Sequence, residues 1–305
     1  MNVITGFFLL TTSLLLNAEK NNISSNGSLQ DQQPIFSFGV LADVQYCDCD
    51  PSGTRWYRSS LVRLSEALET FKSANTEFVI NMGDLIDRDY ESYRPVLGIL
   101  ETSGLQIYHV LGNHDYSVEQ KYKRRLPLLR DNKNLYYSFA FDNFRFIFLN
   151  GNEISTYSSS SRSVIREANT LIDKLKAEGR ENAVDWNGAI GSKQLEWLDN
   201  ELKAATENNE SVFIICHFPV WPENIHNLLN SDAVTGILKK YSNIIAWMNG
   251  HNHQGNYGNT NMTHFVTFKG MVETDNSNSY AVVEVYRNKI WIKGSGREKS
   301  QILAY

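Results

Sequence analysis

Five short stretches of this chain carry side chains of the kinds that bind cations. They are Asp43-Val44-Gln45, Gly83-Asp84, Asn113-His114-Asp115, His217, and His251-Asn252-His253. Carboxylates, carboxamides and imidazoles are the oxygen and nitrogen donors that divalent metals take from proteins. Each stretch alone has an ordinary explanation, since an aspartate after a strand caps a helix and a single histidine packs in a core. All five, however, follow directly on an apolar run, and chance is a poor account of that shared position. In open α/β sheets the ligand site lies beyond the carboxyl ends of the strands. The stretch LGNHDY at 111–116 makes the point locally. A turn needs a glycine and one Asn or Asp, yet here Asn113, His114 and Asp115 stand in series.

The runs that must position these residues alternate with helical spacing. FSFGVLAD reads as a strand ending in Asp43, and residues 54–74 read as a helix through Leu61, Leu64, Leu68 and Phe71. FVINMGD is a second strand, ESYRPVLGILETSG a helix closed by Gly104, and IYHVLGNHD a third strand. This order implies parallel strands joined by crossover helices. Further on, YYSFAFDNFRFIFLN predicts a hairpin turning at Asp142-Asn143, and two amphipathic helices follow at 161–179 and 192–209. SVFIICHFP and NIIAWMNGHNH are buried strands, and SYAVVEVYRNKIWIKG is a hairpin turning at Arg287-Asn288. The whole is an α/β protein with two sheets face to face and helices outside.

The 305 residues are 42% hydrophobic and 21% charged, with a net charge of -5, so no basic nucleic-acid surface is expected. Residues 1–18 form a short apolar run, too short for a comfortable membrane span and similar to a secretory signal ending near Ala18. No Lys or Arg precedes that run; an uncleaved anchor and a buried N-terminal helix are the alternatives. Polar residues 19–34 form a flexible lead-in, and 35–305 the folded domain. The chain is therefore expected to be secreted or periplasmic, without stable membrane insertion. Three cysteines, Cys47, Cys49 and Cys216, make no disulfide framework; a Cys47–Cys49 bridge would close a strained small ring, and the pair is read as small loop residues.

D-x-Q at 43–45, GDLIDR at 83–88, GNHD at 112–115, HFP at 217–219 and GHNH at 250–253, in that order, resemble the calcineurin-like metallophosphoesterases. The resemblance spans about residues 35–270. It implies an αββα sandwich of two mixed sheets flanked by helices and a pair of divalent metal ions. Asp43, Gln45, Asp84 and His253 would hold the first metal, and Asp84, Asn113, His217 and His251 the second, with Asp84 bridging. Such a pair clamps phosphoryl oxygens and acidifies a water that attacks phosphorus. His114 would act on the leaving oxygen without binding metal, and Asp115 would orient His114.

Gln45 stands where most of the family has histidine. A neutral oxygen ligand shifts the site toward Mn²⁺, with Mg²⁺, Fe and Zn as alternatives. The D-x-Q variant resembles one branch, the manganese-dependent ADP-ribose/CDP-alcohol diphosphatases, as do Arg55-Trp56-Tyr57-Arg58 and the Asn152-Glu153 loop. That branch implies cleavage of the phosphoanhydride in small nucleotide diphosphate compounds, giving a nucleoside monophosphate and a phosphorylated alcohol or sugar. A phosphomonoesterase or cyclic-nucleotide phosphodiesterase with the same site, and a non-catalytic metal-binding scaffold, are the other readings. Arg55 and Arg58 are substrate candidates through bidentate phosphate contact, and Tyr116 through stacking on a base. Ordinary surface or core roles compete for all three. Trp221 could also stack on a base, but it and His109 are expected to pack structurally, and no role falls to His226 or His264.

Overall fold

Strand β1 (Phe36–Leu41) is buried along nearly its whole length, as a strand covered on both faces must be. Its Phe36, Phe38 and Val40 enter one core and Leu41 another. Helix α1 (Ser60–Ser73), β2 (Phe78–Asn81), α2 (Tyr93–Ser103) and β3 (Ile107–His109) follow, and β1, β2 and β3 pair in parallel. The expected crossover order is therefore found. Gly104 caps α2 at its C-terminus, and α1 buries Leu64, Leu68 and Phe71. α1 begins six residues later than the apolar spacing predicts. Residues 54–56 run instead against the 272–274 segment: the Trp56 amide donates to the Val272 carbonyl at 2.8 Å, and Arg55 forms a bridge with Glu273.

The structure is a computed structural model describing residues 33–129, 135–260 and 263–305. The apolar run at 1–18 and most of the lead-in at 19–34 lie outside the described residues. Strands β4 (Tyr137–Phe141) and β5 (Phe144–Phe148) form the hairpin read at Asp142-Asn143. Helices α3 (Arg162–Ala177) and α4 (Ser192–Glu207) match the two amphipathic segments. They lead to β6 (Ser211–Ile215), α5 (Ser231–Leu238) and β7 (Ile244–Asn249). Strands β8 (Asn256–Thr260), β9 (Thr263–Thr267), β10 (Ser279–Val285), β11 (Lys289–Gly296) and β12 (Gln301–Ala304) complete the chain. β8, β9, β12 and α5 have no counterpart in the sequence reading; β8, NYGNT, lacks apolar alternation.

Two six-stranded mixed sheets result, in the orders β12-β11-β10-β1-β2-β3 and β4-β5-β6-β7-β9-β8. Between them lies a core of phenylalanines. Phe38 stacks on Phe78 at 5.4 Å and meets Phe146 edge-on at 5.6 Å, while Phe146 stacks on Phe213 at 5.0 Å. α1 and α2 pack on the outer face of the first sheet, and α4 and α5 on the outer face of the second. The αββα sandwich is thus the observed fold. Among the described residues no helix is long and apolar enough to cross a membrane.

The cysteine reading is corrected. Cys47 and Cys49 form a disulfide with a Cα–Cα distance of 5.2 Å, within ordinary disulfide reach. Cys47 is anchored in a small cluster with Tyr57 and Val272, and Cys49 packs at its edge, so the loop doubles back and brings the thiols together. Cys216 is free and buried.

His109 has the structural role expected of it. Its Nδ1 lies 3.3 Å from Asn81 Nδ2, and its backbone exchanges hydrogen bonds with the Tyr137 hydroxyl. Removal from water pushes the imidazole pKa down to about 4, from roughly 6.5 in an unfolded chain. Between those values the unfolded chain binds a proton that the folded chain does not, so stability falls as pH drops through the window. Wild type is expected to lose roughly 2 kcal/mol more than His109→Gln between pH 6.5 and pH 4. Urea unfolding of both forms at the two pH values measures the difference; equal losses would remove His109 from the account.

Candidate metal centre

The five strand ends converge. Asp43, Gln45, Asp84 and His217 are fully buried, and His251 and His253 nearly so. Asp84 lies at the middle. Its Oδ2 is 3.1 Å from Gln45 Nε2 on one side and 3.3 Å from His217 Nε2 on the other. His253 Nε2 lies 3.1 Å from Gln45 Nε2 and 3.4 Å from Asp43 Oδ1. His217 Nε2 lies 3.1 Å from His251 Nδ1, and one donor atom each from Asp84, His217 and His251 fall within 4.8 Å of one another. Asn113 and His114 line the same cavity, about 430 Å³ in volume, together with Arg55, Trp186 and His226.

Outer hydrogen bonds set the histidine tautomers. His217 Nδ1 lies 2.8 Å from the Met82 carbonyl, His251 Nε2 lies 3.0 Å from Asn187 Oδ1, and His253 Nδ1 lies 2.7 Å from Glu273 Oε1. Each of these oxygens accepts, so each outer nitrogen carries the proton and each inner nitrogen turns a lone pair inward. The inner nitrogens of His217 and His251 thus face one another beside a carboxylate. The Gln45 carboxamide has Nε2 inward, and its Oε1, like Asn113 Oδ1, is buried without a hydrogen-bond donor. A half-turn of that carboxamide brings Oε1 inward, the orientation cation binding requires. Lone pairs and orphaned oxygens gathered in this way fit divalent cations.

The charges agree. Burial opposes a charged imidazole at His217 and His253, yet Asp84 and Asp43 outweigh it and raise the two pKa values to about 9. Burial and then His217 keep the His251 pKa well below its ordinary value. The cluster therefore demands positive charge at its centre, and bound cations meet the demand with the imidazoles deprotonated.

The backbone is bent to reach this arrangement. Asp43, Gln45, Asp84 and His251 have φ of 52°, 43°, 55° and 67°, in the left-handed region that side chains with a Cβ rarely adopt. Two glycines provide clearance. A Cβ on Gly112 would lie 2.0 Å from Asp84 Oδ1, and one on Gly250 would lie 2.6 Å from Asp43 Oδ2.

Several expectations are corrected. Asp115 does not contact the His114 ring. Its carboxylate accepts from the amides of Gly112, Asp84 and Leu85 at 2.8, 2.9 and 3.0 Å and from the Tyr93 hydroxyl at 3.1 Å, tying the Asp84 turn to the Gly112 turn. Asp87 takes the role read for Asp115: its Oδ1 lies 2.7 Å from His114 Nδ1. Burial lowers the His114 pKa, but Asp84 and Asp87 reverse the effect and leave it raised. Arg58 is absent from the cavity lining; it pairs with Asp48 and Asp50 on the surface, at 2.5 and 2.7 Å. Tyr116 is buried in the core beside Tyr157, so it offers no face to a base. Arg55 does line the cavity. Asn152 and Glu153 brace the backbone, Asn152 Nδ2 donating to the Leu111 carbonyl and Glu153 accepting from Gly191 and Gln194. Trp221 packs on Phe265, as expected.

Sequence reading missed Glu273, Asn187, Trp186 and His226, and gave Asp87 no role. Asp87 stands inside GDLIDR and its motif position was a usable signal; the others lie in stretches without one.

Gly112 supplies a test of the packing around Asp84. Gly112→Ala is expected to fold and to bind Mn²⁺ about 10- to 100-fold more weakly, the scale on which displaced supporting groups alter metal affinity. Calorimetric titration of the metal-free protein measures this, and unchanged affinity would mean that the Asp84 position is not set by that glycine.

Comparison with known proteins places this geometry. Residues 36–255 match the calcineurin-like phosphoesterase family. A protein of Arabidopsis thaliana named manganese-dependent ADP-ribose/CDP-alcohol diphosphatase is 31% identical over 303 residues, covering 88% of this chain and 97% of that protein. A human protein of the same name is 27% identical, covering 89% of this chain and 93% of that protein. The crystal structure of a dimetal phosphatase from Danio rerio superimposes with a TM-score of 0.80 at 24% identity, covering 90% of this chain and all of that one, which shows the shared fold. With its five motif-bearing strand ends gathered around Asp84 and most of its length matched, this chain belongs to the calcineurin-like phosphoesterase family.

Proposed function

We propose that the chain is a dinuclear-metal hydrolase of small nucleotide diphosphate compounds. ADP-ribose and CDP-alcohols lead the substrates, and the products are a nucleoside monophosphate and a phosphorylated sugar or alcohol. The observation that carries this reading is the set of inward lone pairs around Asp84, beside a histidine, His114, that stands outside the ligand set. The names of the relatives support the substrate class. Asp43, Gln45, Asp84 and His253 are assigned to one cation, and Asp84, Asn113, His217 and His251 to the other. When bound, the two cations, manganese foremost, polarise the phosphoryl oxygens and acidify a water.

The protein's own groups do the rest. Water oxygen bonds to phosphorus as its proton passes to solvent, the bridging P–O bond breaks, and its electron pair leaves on the departing phosphate. Asp87 holds His114 Nδ1, so the ring turns Nε2 toward substrate and protonates that departing oxygen. The Arg55 guanidinium lies on the same side, 3.6 Å from Asp87, and offers two N–H groups to the departing phosphate. The apolar run at 1–18 supports a secreted or periplasmic enzyme, and so does the Cys47–Cys49 bridge, since disulfides persist in oxidising compartments.

Phosphate release from ADP-ribose and CDP-choline, with and without added phosphatase, tests the reaction. Release only with the phosphatase is expected, fastest with Mn²⁺, and Gln45→His should shift the preference toward zinc or iron. Direct release would indicate a phosphomonoesterase, and no turnover a scaffold.

The corrected partner of His114 has its own test. His114→Ala should keep its metal content while kcat falls roughly 10²- to 10⁴-fold. Asp87→Asn should lower kcat with metal content intact, whereas Asp115→Asn should weaken metal binding, because Asp115 holds the Asp84 turn. Metal loss in His114→Ala would make His114 a ligand and overturn the role.

A further inference from the structure

Beyond the ligands, the cavity holds two sets of groups with different neighbours. His114 and Arg55 gather at Asp87. Trp186 and His226 gather at His251: the Trp186 ring lies 5.3 Å from His226 and 5.2 Å from His251, and the His226 ring lies 5.5 Å from His251. His226 Nδ1 is buried without a hydrogen-bond partner, while its surroundings are closely built. The His226 amide donates to Asn224 Oδ1, and Asn224 donates to the Pro222 carbonyl and to Asn227. The neighbouring Ile225 carbonyl accepts from Asn187, the residue that also holds His251. These bonds fix the loop that carries His226, and the loop sets its ring beside Trp186 on the cavity wall, where a ligand entering the cavity meets it.

Resting on the hydrolytic reading above, we propose that His226 is a specificity residue that hydrogen-bonds the nucleoside of the substrate, with Trp186 beside it. In an in-line displacement the departing phosphate and the substituent retained on phosphorus point in different directions. His114 and Arg55 meet the departing phosphate, so the Trp186–His226 wall meets what is retained. An indole and an imidazole suit a flat base and a ribose better than they suit a second phosphate. It follows that the attacked phosphorus is the one that bears the nucleoside.

The test uses manganese-loaded wild type, His226→Ala and His226→Gln, each titrated calorimetrically with CMP, AMP and inorganic phosphate. His226→Ala should bind the nucleotides about tenfold more weakly, the scale of one lost hydrogen bond, with little change for phosphate. His226→Gln should recover most of the loss. An equal loss for phosphate, no loss for nucleotides, or loss of manganese would each overturn the assignment. Wild type binding AMP and CMP no more tightly than phosphate would instead bring down the nucleotide reading of the whole site. Turnover in ¹⁸O-water should place the label in the nucleoside monophosphate; label in the phosphorylated alcohol would overturn the placement of the nucleoside.

Discussion

The Asp84 carboxylate is the constraint around which this protein is organised. It is buried among other carboxylates and inward lone pairs, where an uncompensated charge is very costly. Among the described residues, Arg55 is the one arginine or lysine lining the cavity, and it stands 3.6 Å from Asp87 and 3.9 Å from Glu273 rather than against Asp84. The compensation must come from the centre of the cluster, and the surrounding structure is arranged to admit it. Glycine clears the space at Asp84 Oδ1, Asp115 pins the turn that carries Asp84, and the outer nitrogens of three histidines are held by oxygens. The left-handed backbone at four of the predicted ligands is a further cost of bringing them together, and the aromatic core between the sheets supplies the rigidity that sustains it.

Much of this was legible in the sequence because it repeats. Apolar strands ending in Asp, Asn or His, three of them after a glycine, marked the site, and helical spacing between them marked the parallel connections. Asp43, Gln45, Asp84, Asn113, His114, His217, His251 and His253 were all brought together from those endings. What was illegible depended on partners remote in the chain. Asp115 neighbours His114 in sequence, but the turn directs its carboxylate back onto three amides, and Asp87, 27 residues earlier, takes the ring instead. Glu273 follows His253 by 20 residues in a stretch without metal-site spacing, yet it holds the outer nitrogen of that imidazole. The late start of α1 has the same origin, since tertiary pairing of Trp56 with Val272 overrides a helical pattern. The Cys47–Cys49 bridge is illegible for the same reason: its ring is small, and it is the anchoring of Cys47 beside the remote Tyr57 and Val272 that brings the thiols together.

The two faces of the sandwich divide the labour. The outer faces of the sheets carry helices and make ordinary apolar contacts, and the site occupies the strand ends, where the loops are polar. Loops 43–58 and 270–274 meet there through backbone hydrogen bonds. The approach to the first cluster is therefore built from two distant parts of the chain and braced by Glu273, which touches both His253 and Arg55.

Asn187 has the widest reach for its size. Its Oδ1 holds the imidazole of His251, while its amide donates to the Ile225 and Asn182 carbonyls. One planar carboxamide thus spans the imidazole and the loop that walls the cavity, and its two ends cannot turn independently. Any coupling free energy by which fixing the imidazole orders the loop is returned, by thermodynamic reciprocity, when ordering of the loop fixes the imidazole. A ligand that holds the imidazole and one that holds the loop would therefore each strengthen the binding of the other.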